Sequence, residues 1–499
     1  MLLLRHSLAA GRPTLYHARP NIIPRRGILT LAIETSCDDT SVAIIQRRGN
    51  SATKWFNEKI TADLTAYQGI HPLAALESHQ ENLATLVKKA LRALPRASDD
   101  LIKGELERLD PRLGRDSLYG KSPILPLSGS VHDKPDVICV TRGPGMRANL
   151  NVGLDFAKGL AVAWQVPLIG VNHMQAHLLT PRLVSALQTS YVKGEEPPPL
   201  KPEFPFVSIL ASGGHTLLVN STSIVDHTVL ATSPDIAVGE ALDKAAREIL
   251  PTSILANAET TMYAKLLYEF AFPNGRDDYA DYRAPMTRAE EIARSKVQTP
   301  YGLSFTTPFA NTRTMAFSFA HLSTVVGQLT RIKQQAEPGN PIMTHDDRVF
   351  LAREVLRTSF EHIASRTIIG LEQMCEQTKG SDPKPIPETL PIKTLVVSGG
   401  VAANSFLRRI LRSFLDARGF NKVQIDAPPA WLCTDNAAMV GWAGMEMFRE
   451  GWRSQYNIRS LRKWSLDKRL RAASGPGGGP KGILGASGWT RLPSDRERE

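Results

Sequence analysis

The chain has 499 residues, 42% of them hydrophobic, which is more than one core's worth, since single cores rarely grow past roughly 250–300 residues. No apolar run reaches the roughly 18–20 residues of a helical membrane span, so no membrane insertion is expected; Cys37, Cys139, Cys375 and Cys433 are scattered without a CxxC pair, which disfavours a disulfide scaffold or a cysteine zinc finger. Lys plus Arg outnumber Asp plus Glu 60 to 49, a net charge of +11 that suits a polyanion such as RNA, although a merely basic protein carries the same excess.

Residues 1–33 hold Arg5, Arg12, Arg19, Arg25 and Arg26 and no acidic residue, the composition of a mitochondrial presequence, here assigned to 1–27. Subtracting those five arginines from +11 still leaves a basic chain at +6. A first strand–turn–strand unit spans Ile28–Ile45, its turn reading Thr35-Ser36-Cys37-Asp38-Asp39-Thr40, and helical patterns follow at His79–Leu94 and Gly153–Trp164. A second unit, Phe206–Val219, has FVSILA and TLLV around the turn SGGH, then a helix over Gly239–Leu250. Two such α/β halves would face one another across a cleft, the usual place for a small ligand.

Three polar stretches interrupt the pattern: 95–135, 193–205 (KGEEPPPLKPEFP) and 376–391. The strand of Thr394–Gly419 runs into Ser398-Gly399-Gly400 and a helix stopped by Gly419, a geometry that lets backbone N–H groups approach phosphate. Near the end, Arg462, Lys463, Lys468, Arg469 and Arg471 surround Trp464, a cluster that can meet RNA phosphates or simply be a solvated face. Beyond it the Gly/Pro-rich stretch predicts a disordered tail.

His173 and His177 are spaced HxxxH, so on a helix both imidazoles share one face and can reach one metal ion; two ordinary helix histidines read the same way. Position 174 is Met, so the Glu that activates water in HExxH sites is absent. Asp435, in Cys433-Thr434-Asp435-Asn436 before the helix Ala437–Phe448, is a candidate third ligand or an N-cap. Ser212-Gly213-Gly214-His215-Thr216 can wrap an anion with backbone N–H groups or be a plain hairpin turn. Asp38 and Asp39 can hold a metal-bound water or a substrate amine, or satisfy their own turn. Arg142-Gly143-Pro144-Gly145 makes a tight loop after the strand Asp136–Val140.

ETSCDDTS (34–41), RGPG with VGLDFAKGLA (142–161), HMQAH (173–177), SGGHT (212–216), GEALDKAAR (239–247), SGGVAAN (398–404) and CTDNAAM (433–439) occur in one order. That series closely resembles the tRNA N6-adenosine threonylcarbamoyltransferase family, over residues 28–465, and with this N-terminus its mitochondrial branch. The resemblance implies an α/β fold of two lobes around a central cleft, the actin/Hsp70/sugar-kinase architecture. It divides the chain into lobe I (28–185), a linker (186–205), lobe II (206–400), a segment returning to lobe I (401–465) and a disordered tail (466–499). It implies transfer of a threonylcarbamoyl group from threonylcarbamoyl-adenylate to N6 of adenosine 37 in mitochondrial tRNAs reading codons that begin with A, in the mitochondrial matrix. His173, His177 and Asp435 would bind one divalent metal, zinc, iron or magnesium. Leu210, Ala211, Ser212, Gly213, Gly214 and Asp243 would bind the acyl-adenylate, with Ala403 and Asn404 facing its adenosine. Asp38 and Asp39 fall on the family's acidic pair near the reaction centre. The implied partners are tRNA, a separate YrdC-type synthetase that makes the acyl-adenylate, and a second copy in a homodimer.

The sequence departs from the family pattern twice. Thr260-Thr261-Met262-Tyr263-Ala264-Lys265 lacks the expected glycine-pair turn, and FSFAHLST (317–324) has His321 and Ser323 where the family has Gly and Lys. No substrate contact is carried over to either place. Rival readings are an ATP-dependent kinase on the same fold, a metalloprotease, and a non-catalytic RNA-binding or scaffold subunit. The histidine pair counts against the first and the missing Glu against the second; the third predicts that alanine at His173, His177 or Asp435 is harmless.

Overall fold

The computed structural model describes residues 27–64, 67, 71–108, 122–127, 129–192, 197–258, 263–295, 305–336, 343–378, 390–470 and 482–492. The expected presequence lies outside them but for Gly27, as do Thr260, Thr261, Met262 and Arg471.

In the first lobe, β1 (Ile28–Glu34), β2 (Asp39–Arg48) and β3 (Ser51–Thr61) form an antiparallel meander. Helices α1 (Pro72–Leu91) and α2 (Asp99–Arg108) and the hairpin β4 (Ile124–Leu127)–β5 (Ser130–Asp133) precede β6 (Val137–Gly143), α3 (Arg147–Trp164) and β7 (Leu168–Asn172). β6 and β7 add in parallel, giving the order β3-β2-β1-β6-β7. The runs ILTLAIE, VICVTRG and LIGVN are buried on both faces, as near-continuous apolar strands must be. Then comes α4 (His173–Gln188).

The second lobe repeats the plan. β8 (Phe206–Ala211), β9 (Thr216–Ser221) and β10 (His227–Thr232) form a meander. Next are α5 (Val238–Ile249), α6 (Thr252–Ala256), α7 (Tyr263–Ala271), α8 (Arg288–Arg294), α9 (Ala320–Ala336) and α10 (His345–Thr378). β11 (Thr394–Ser398), α11 (Ser405–Ala417) and β12 (Gln424–Asp426) complete a sheet of order β10-β9-β8-β11-β12, with β8, β11 and β12 parallel. Both sheets thus begin with a hairpin and share one strand order, the two-lobed actin/sugar-kinase architecture. The chain then returns through α12 (Ala430–Cys433) and α13 (Ala437–Arg449) and ends in the pair β13 (Trp452–Ser454) and β14 (Trp489–Arg491).

The layers follow from strand alternation. Val207, Ile209, Leu395 and Val397 face the outer helices of lobe II, whereas Phe206, Leu210 and Val396 face inward. Inward they meet α4 and α13, which lie side by side between the two sheets. Helices sandwiched in this way are buried on every side: AAMVGWAGMEM is apolar almost all round, whereas HMQAHLLTPRL buries His173, Gln175, His177 and Arg182 on named partners. A Cβ at Gly444 would fall 2.2 Å from Cys139 Sγ, so glycine sets how closely α13 presses on the first sheet.

Several expected boundaries shift. Residues 401–426 stay in lobe II, where α11 packs in its core and β12 closes its sheet; the return to lobe I begins only with α12 and α13. The expected tail from 466 is folded in part: Ile483 and Trp489 are buried and pack with Trp464, driven by the indole surface the Gly/Pro composition concealed. The stretch 95–135 carries α2 and the β4–β5 hairpin. The linker begins three residues late, because α4 runs on to Gln188, and Leu200 within it is buried.

Candidate active site and metal centre

The chemistry-bearing residues cluster at the carboxyl ends of the parallel strands, where ligands bind in open α/β sheets. β1 ends at Glu34, β7 runs directly into His173, β8 ends in the SGGH turn and β11 in Ser398-Gly399-Gly400. Three close approaches lock these turns together. A Cβ at Gly145 would meet Ser36 O at 2.7 Å, one at Gly239 would meet Ser212 O at 2.7 Å, and one at Gly399 would meet Ala211 O at 2.4 Å. Gly399 also has φ +96°, which side chains disfavour. The Arg-Gly-Pro-Gly loop is thereby fitted to the first hairpin turn, and the N-terminus of α5 and the second glycine turn to the SGGH loop.

α4 starts at His173 because Asn172 caps it, accepting from Met174 N at 3.0 Å and Gln175 N at 3.2 Å, an interaction worth about 1 kcal/mol. His173 and His177 therefore sit in the first turns on one face. Asp435 reaches them from the start of α13. The alternative N-cap role falls to Asn436, whose side chain accepts from Met439 N, leaving the Asp435 carboxylate free. Asp435 Oδ1 lies 3.1 Å from His177 Nε2 and 3.4 Å from His173 Nε2, and one ligand atom from each residue falls within 4.8 Å of the others. Bonds of about 2.0–2.1 Å at tetrahedral or octahedral angles put neighbouring ligand atoms about 2.8–3.4 Å apart; Asp435 Oδ1 stands at that spacing from each imidazole, and two imidazoles with a carboxylate are a donor set that suits a divalent cation.

A buried carboxylate that sequence reasoning passed over completes the arrangement. Glu34 is fully buried; it accepts from Ser36 N at 2.6 Å, from the Thr141 hydroxyl, and from His173 Nδ1 at 3.1 Å. That bond places a proton on Nδ1 and turns Nε2 toward Asp435. Ser36 Oγ also lies 3.2 Å from Nδ1. Burial alone would lower the His173 pKa, but Asp435 and Glu34 hold it well above its ordinary value. Burial alone would likewise raise Asp435, whereas the two imidazoles hold it well below the usual carboxylate range. A cation is what such a site favours, whether proton or metal. His177 Nδ1 is buried without a hydrogen-bond partner among the described residues, so its Nε2 is its only engaged nitrogen.

Two further contacts set the helices. Pro181 lies inside α4 and deprives the His177 carbonyl of its helical N–H donor; Ser398 Oγ donates to that carbonyl instead, at 3.2 Å, tying the metal helix to the second lobe. Farther along, Arg182 grips Glu446 of α13 with Nε at 2.9 Å and Nη2 at 2.8 Å, and Arg47 adds a contact at 3.4 Å. Breaking a buried pair of this kind costs about 3–5 kcal/mol.

The remaining expected residues divide. Leu210 and Ala211 are buried in β8, while Gly213 and Gly214 are exposed and unobstructed in the turn that Ser212 braces by accepting from His215 N at 3.1 Å. His215 belongs to the centre although only its motif was noticed: desolvation by its surroundings, then the nearby His173 and His177, push it down to about 4. Ala403 is exposed, but Asn404 Oδ1 is committed to capping α11, accepting from Phe406 N at 2.9 Å. Asp243 accepts from Ala264 N at 2.7 Å, and burial raises it to about 6. Asp39 is held by Lys59 Nζ at 2.6 Å and by the Thr61 hydroxyl; desolvation nonetheless raises its pKa. Asp38, in the same turn, is half-buried and bonded to the Cys37 thiol. Ser323 turns back to Ala320 O at 3.0 Å, and His321 Nε2 lies 3.0 Å from Thr306 O, so neither replaced position of FSFAHLST reaches the centre.

Residues 128–442 match the family model for tRNA N6-adenosine threonylcarbamoyltransferase. The mitochondrial tRNA N6-adenosine threonylcarbamoyltransferase of Schizosaccharomyces pombe is 31% identical over 457 residues, covering 89% of this chain and 88% of its own. The enzyme of the same name from Rhizobium leguminosarum is 29% identical, over 90% of this chain and 96% of its own. Among solved structures, that of HypF from T. kodakarensis shares 13% identity over 86% of this chain and 49% of its own, with a TM-score of 0.38. On the strength of the matched profile and the near-full-length relatives, this chain belongs to the tRNA N6-adenosine threonylcarbamoyltransferase family and is a transferase.

Proposed function

We propose that the chain moves a threonylcarbamoyl group from threonylcarbamoyl-adenylate to N6 of adenosine 37 in mitochondrial tRNAs reading codons that begin with A, in the matrix. The observation that carries this reading is the convergence of His173, His177 and Asp435 beside the exposed glycines of the SGGH turn. A zinc, iron or magnesium ion held there would supply Lewis-acid stabilisation of negative charge. The chain's own residues do the rest. Gly213 and Gly214 present backbone N–H groups to the acyl-phosphate, worth about 3–4 kcal/mol each where they meet developing charge. The N-terminus of α5, pressed on Ser212 through Gly239, adds its dipole on the same side. Leu210 and Ala211 form the floor, and Asp243, Ala403 and the Asn404 backbone border the nucleotide.

The exocyclic amine of adenine is a poor nucleophile and must lose a proton as it attacks. Asp38 suits that task better than Asp39, because Lys59 and Thr61 already occupy the Asp39 oxygens. Glu34 does not take this role; it orients His173. The donor comes from a YrdC-type synthetase, and the working unit is a homodimer. The decisive test incubates purified protein with a tRNA transcript, the acyl-adenylate and each metal, and detects the modified nucleoside by mass spectrometry. His173→Ala and Asp435→Ala should lose bound metal and product together; retention of both would reject the assignment.

A further inference from the structure

A cavity of about 500 Å³ opens beside the same centre, over the β9–β10 edge of the second sheet, two strands from β11 and its nucleotide-bordering turn. Its lining includes Pro144, Met174, the neighbour of His173, and His215. Its walls are mainly aliphatic, among them Val229, Leu466 and Leu470. Its rim carries Arg462 and Lys463, both exposed.

The basic cluster at the end of the chain is not uniform. Lys468 pairs with Asp226 at 2.6 Å and Arg469 with Asp467 at 2.6 Å. Arg462 and Lys463 show no carboxylate partner among the described residues. Their backbone is nevertheless fixed: Leu461 N donates to Arg142 O at 2.8 Å, Gly145 N donates to Arg462 O at 3.4 Å, and the adjoining Trp464 is buried and donates to Ile483 O at 3.0 Å. Two unneutralised cations are thus held in place on a mainly apolar slot whose lining includes Met174 and His215 beside the candidate metal centre.

We propose that this cavity receives the unstacked adenine of the acceptor, with Arg462 and Lys463 holding the phosphates that flank it. The inference rests on the transferase reading above. A base taken out of its stack needs a slot with apolar walls for its faces, and an anticodon loop offers such a base without melting a helix. The donor's threonyl arm is the competing occupant. Its carboxylate would share the slot with Asp467, and the rest of the lining is mainly hydrocarbon.

The test uses full-length protein, an unmodified tRNA transcript and a non-hydrolysable sulfamate analogue of the acyl-adenylate. For single-stranded contacts the affinity falls with salt by about 0.7 log units per log unit and phosphate, roughly fivefold per contact at 0.1 M salt. Arg462→Gln with Lys463→Gln should therefore raise the tRNA Kd by filter binding about 25-fold and lower the salt slope by about 1.4. Bound metal and analogue affinity should stay unchanged. Thr232→Trp, which fills the slot from β10, should cut kcat/KM for tRNA at least tenfold and spare the analogue. Unchanged tRNA binding in the double variant together with unchanged kcat/KM in Thr232→Trp would overturn the proposal, as would a loss of analogue affinity in Thr232→Trp, which would give the cavity to the donor. If the wild type binds tRNA yet makes no modified adenosine, the transferase reading fails, and the filter-binding arm still decides whether Arg462 and Lys463 hold RNA.

Discussion

Glu34 offers the most direct perturbation of the candidate metal centre without touching a candidate ligand. Its carboxylate is 0% exposed and accepts from three donors, Ser36 N, the Thr141 hydroxyl and His173 Nδ1. Glu34→Ala strands all three in a dry site, at about 1–3 kcal/mol each, so a loss of about 3–6 kcal/mol is expected once partial relaxation is allowed. Glu34→Gln keeps the shape and one acceptor oxygen but removes the charge that fixes the His173 proton on Nδ1. Loss of such an orienting partner typically weakens metal binding 10–100-fold, or about 1.4–2.7 kcal/mol. The assay is paired: urea unfolding of the metal-free protein, and zinc affinity by competition with a chromophoric chelator. Glu34→Gln should remain folded and bind zinc 10–100-fold more weakly, with the candidate ligands His173, His177 and Asp435 intact. An unchanged zinc affinity in a folded Glu34→Gln protein would refute the argument that this carboxylate sets the tautomer.

Other substitutions probe the supports of the site. Ser398→Ala leaves the His177 carbonyl without its donor and should cost about 1–3 kcal/mol in denaturant unfolding; in a Pro181→Ala background, where the helix supplies its own N–H, the same change should cost much less, a coupling a double-mutant cycle reads directly. Gly399→Ala forces a Cβ onto Ala211 O at a positive φ and should destabilise by several kcal/mol or abolish analogue binding, seen by calorimetry. Asp243 titrates near 6 when folded against an ordinary 3.8. The folded state then binds the proton more tightly than the unfolded chain, so this group's contribution is fully present below pH 3.8 and is lost as pH rises to about 6, by at most about 3 kcal/mol. Asp243→Asn should flatten that slope in unfolding experiments run across pH 3.5–7.

The sequence displayed those parts of the molecule whose physics is local. Hairpins with small polar turns, glycine-stopped helices and HxxxH spacing each leave a short-range trace, and the two-lobed fold with its candidate ligands could be read from them. What escaped was set by tertiary contact. Glu34 was only the first letter of a motif, since nothing in ILTLAIE says that its last residue faces an imidazole 139 positions away. The Asp435 alternatives could not be separated until the cap was seen to fall on Asn436. The folded part of the tail was hidden because Ile483 and Trp489 lie in a Gly/Pro-rich context, and their burial depends on Trp464 and the first lobe. Equally, Arg462 and Lys463 looked like Lys468 and Arg469 until Asp226 and Asp467 were seen to neutralise only the latter pair.

The placement of α4 and α13 between the sheets has a mechanical consequence. All three candidate ligands lie on or beside this middle layer, α13 rests on the first sheet through Gly444, and α4 is hydrogen-bonded to the second through Ser398. The Arg182–Glu446 clamp holds the two helices together at one end, and the His173–His177–Asp435 cluster joins them at the other. The buried ion pair therefore keeps the two helices of this layer in register, and a shift of the second lobe against them is felt at His177 through Ser398. Proline in the middle of a helix is ordinarily a weakness, yet here it frees a carbonyl for a donor from the opposite lobe. The glycine turn at the end of β11 and the helix that carries the histidines thus share one hydrogen bond, so an occupant that displaces Ser398 must also disturb His177.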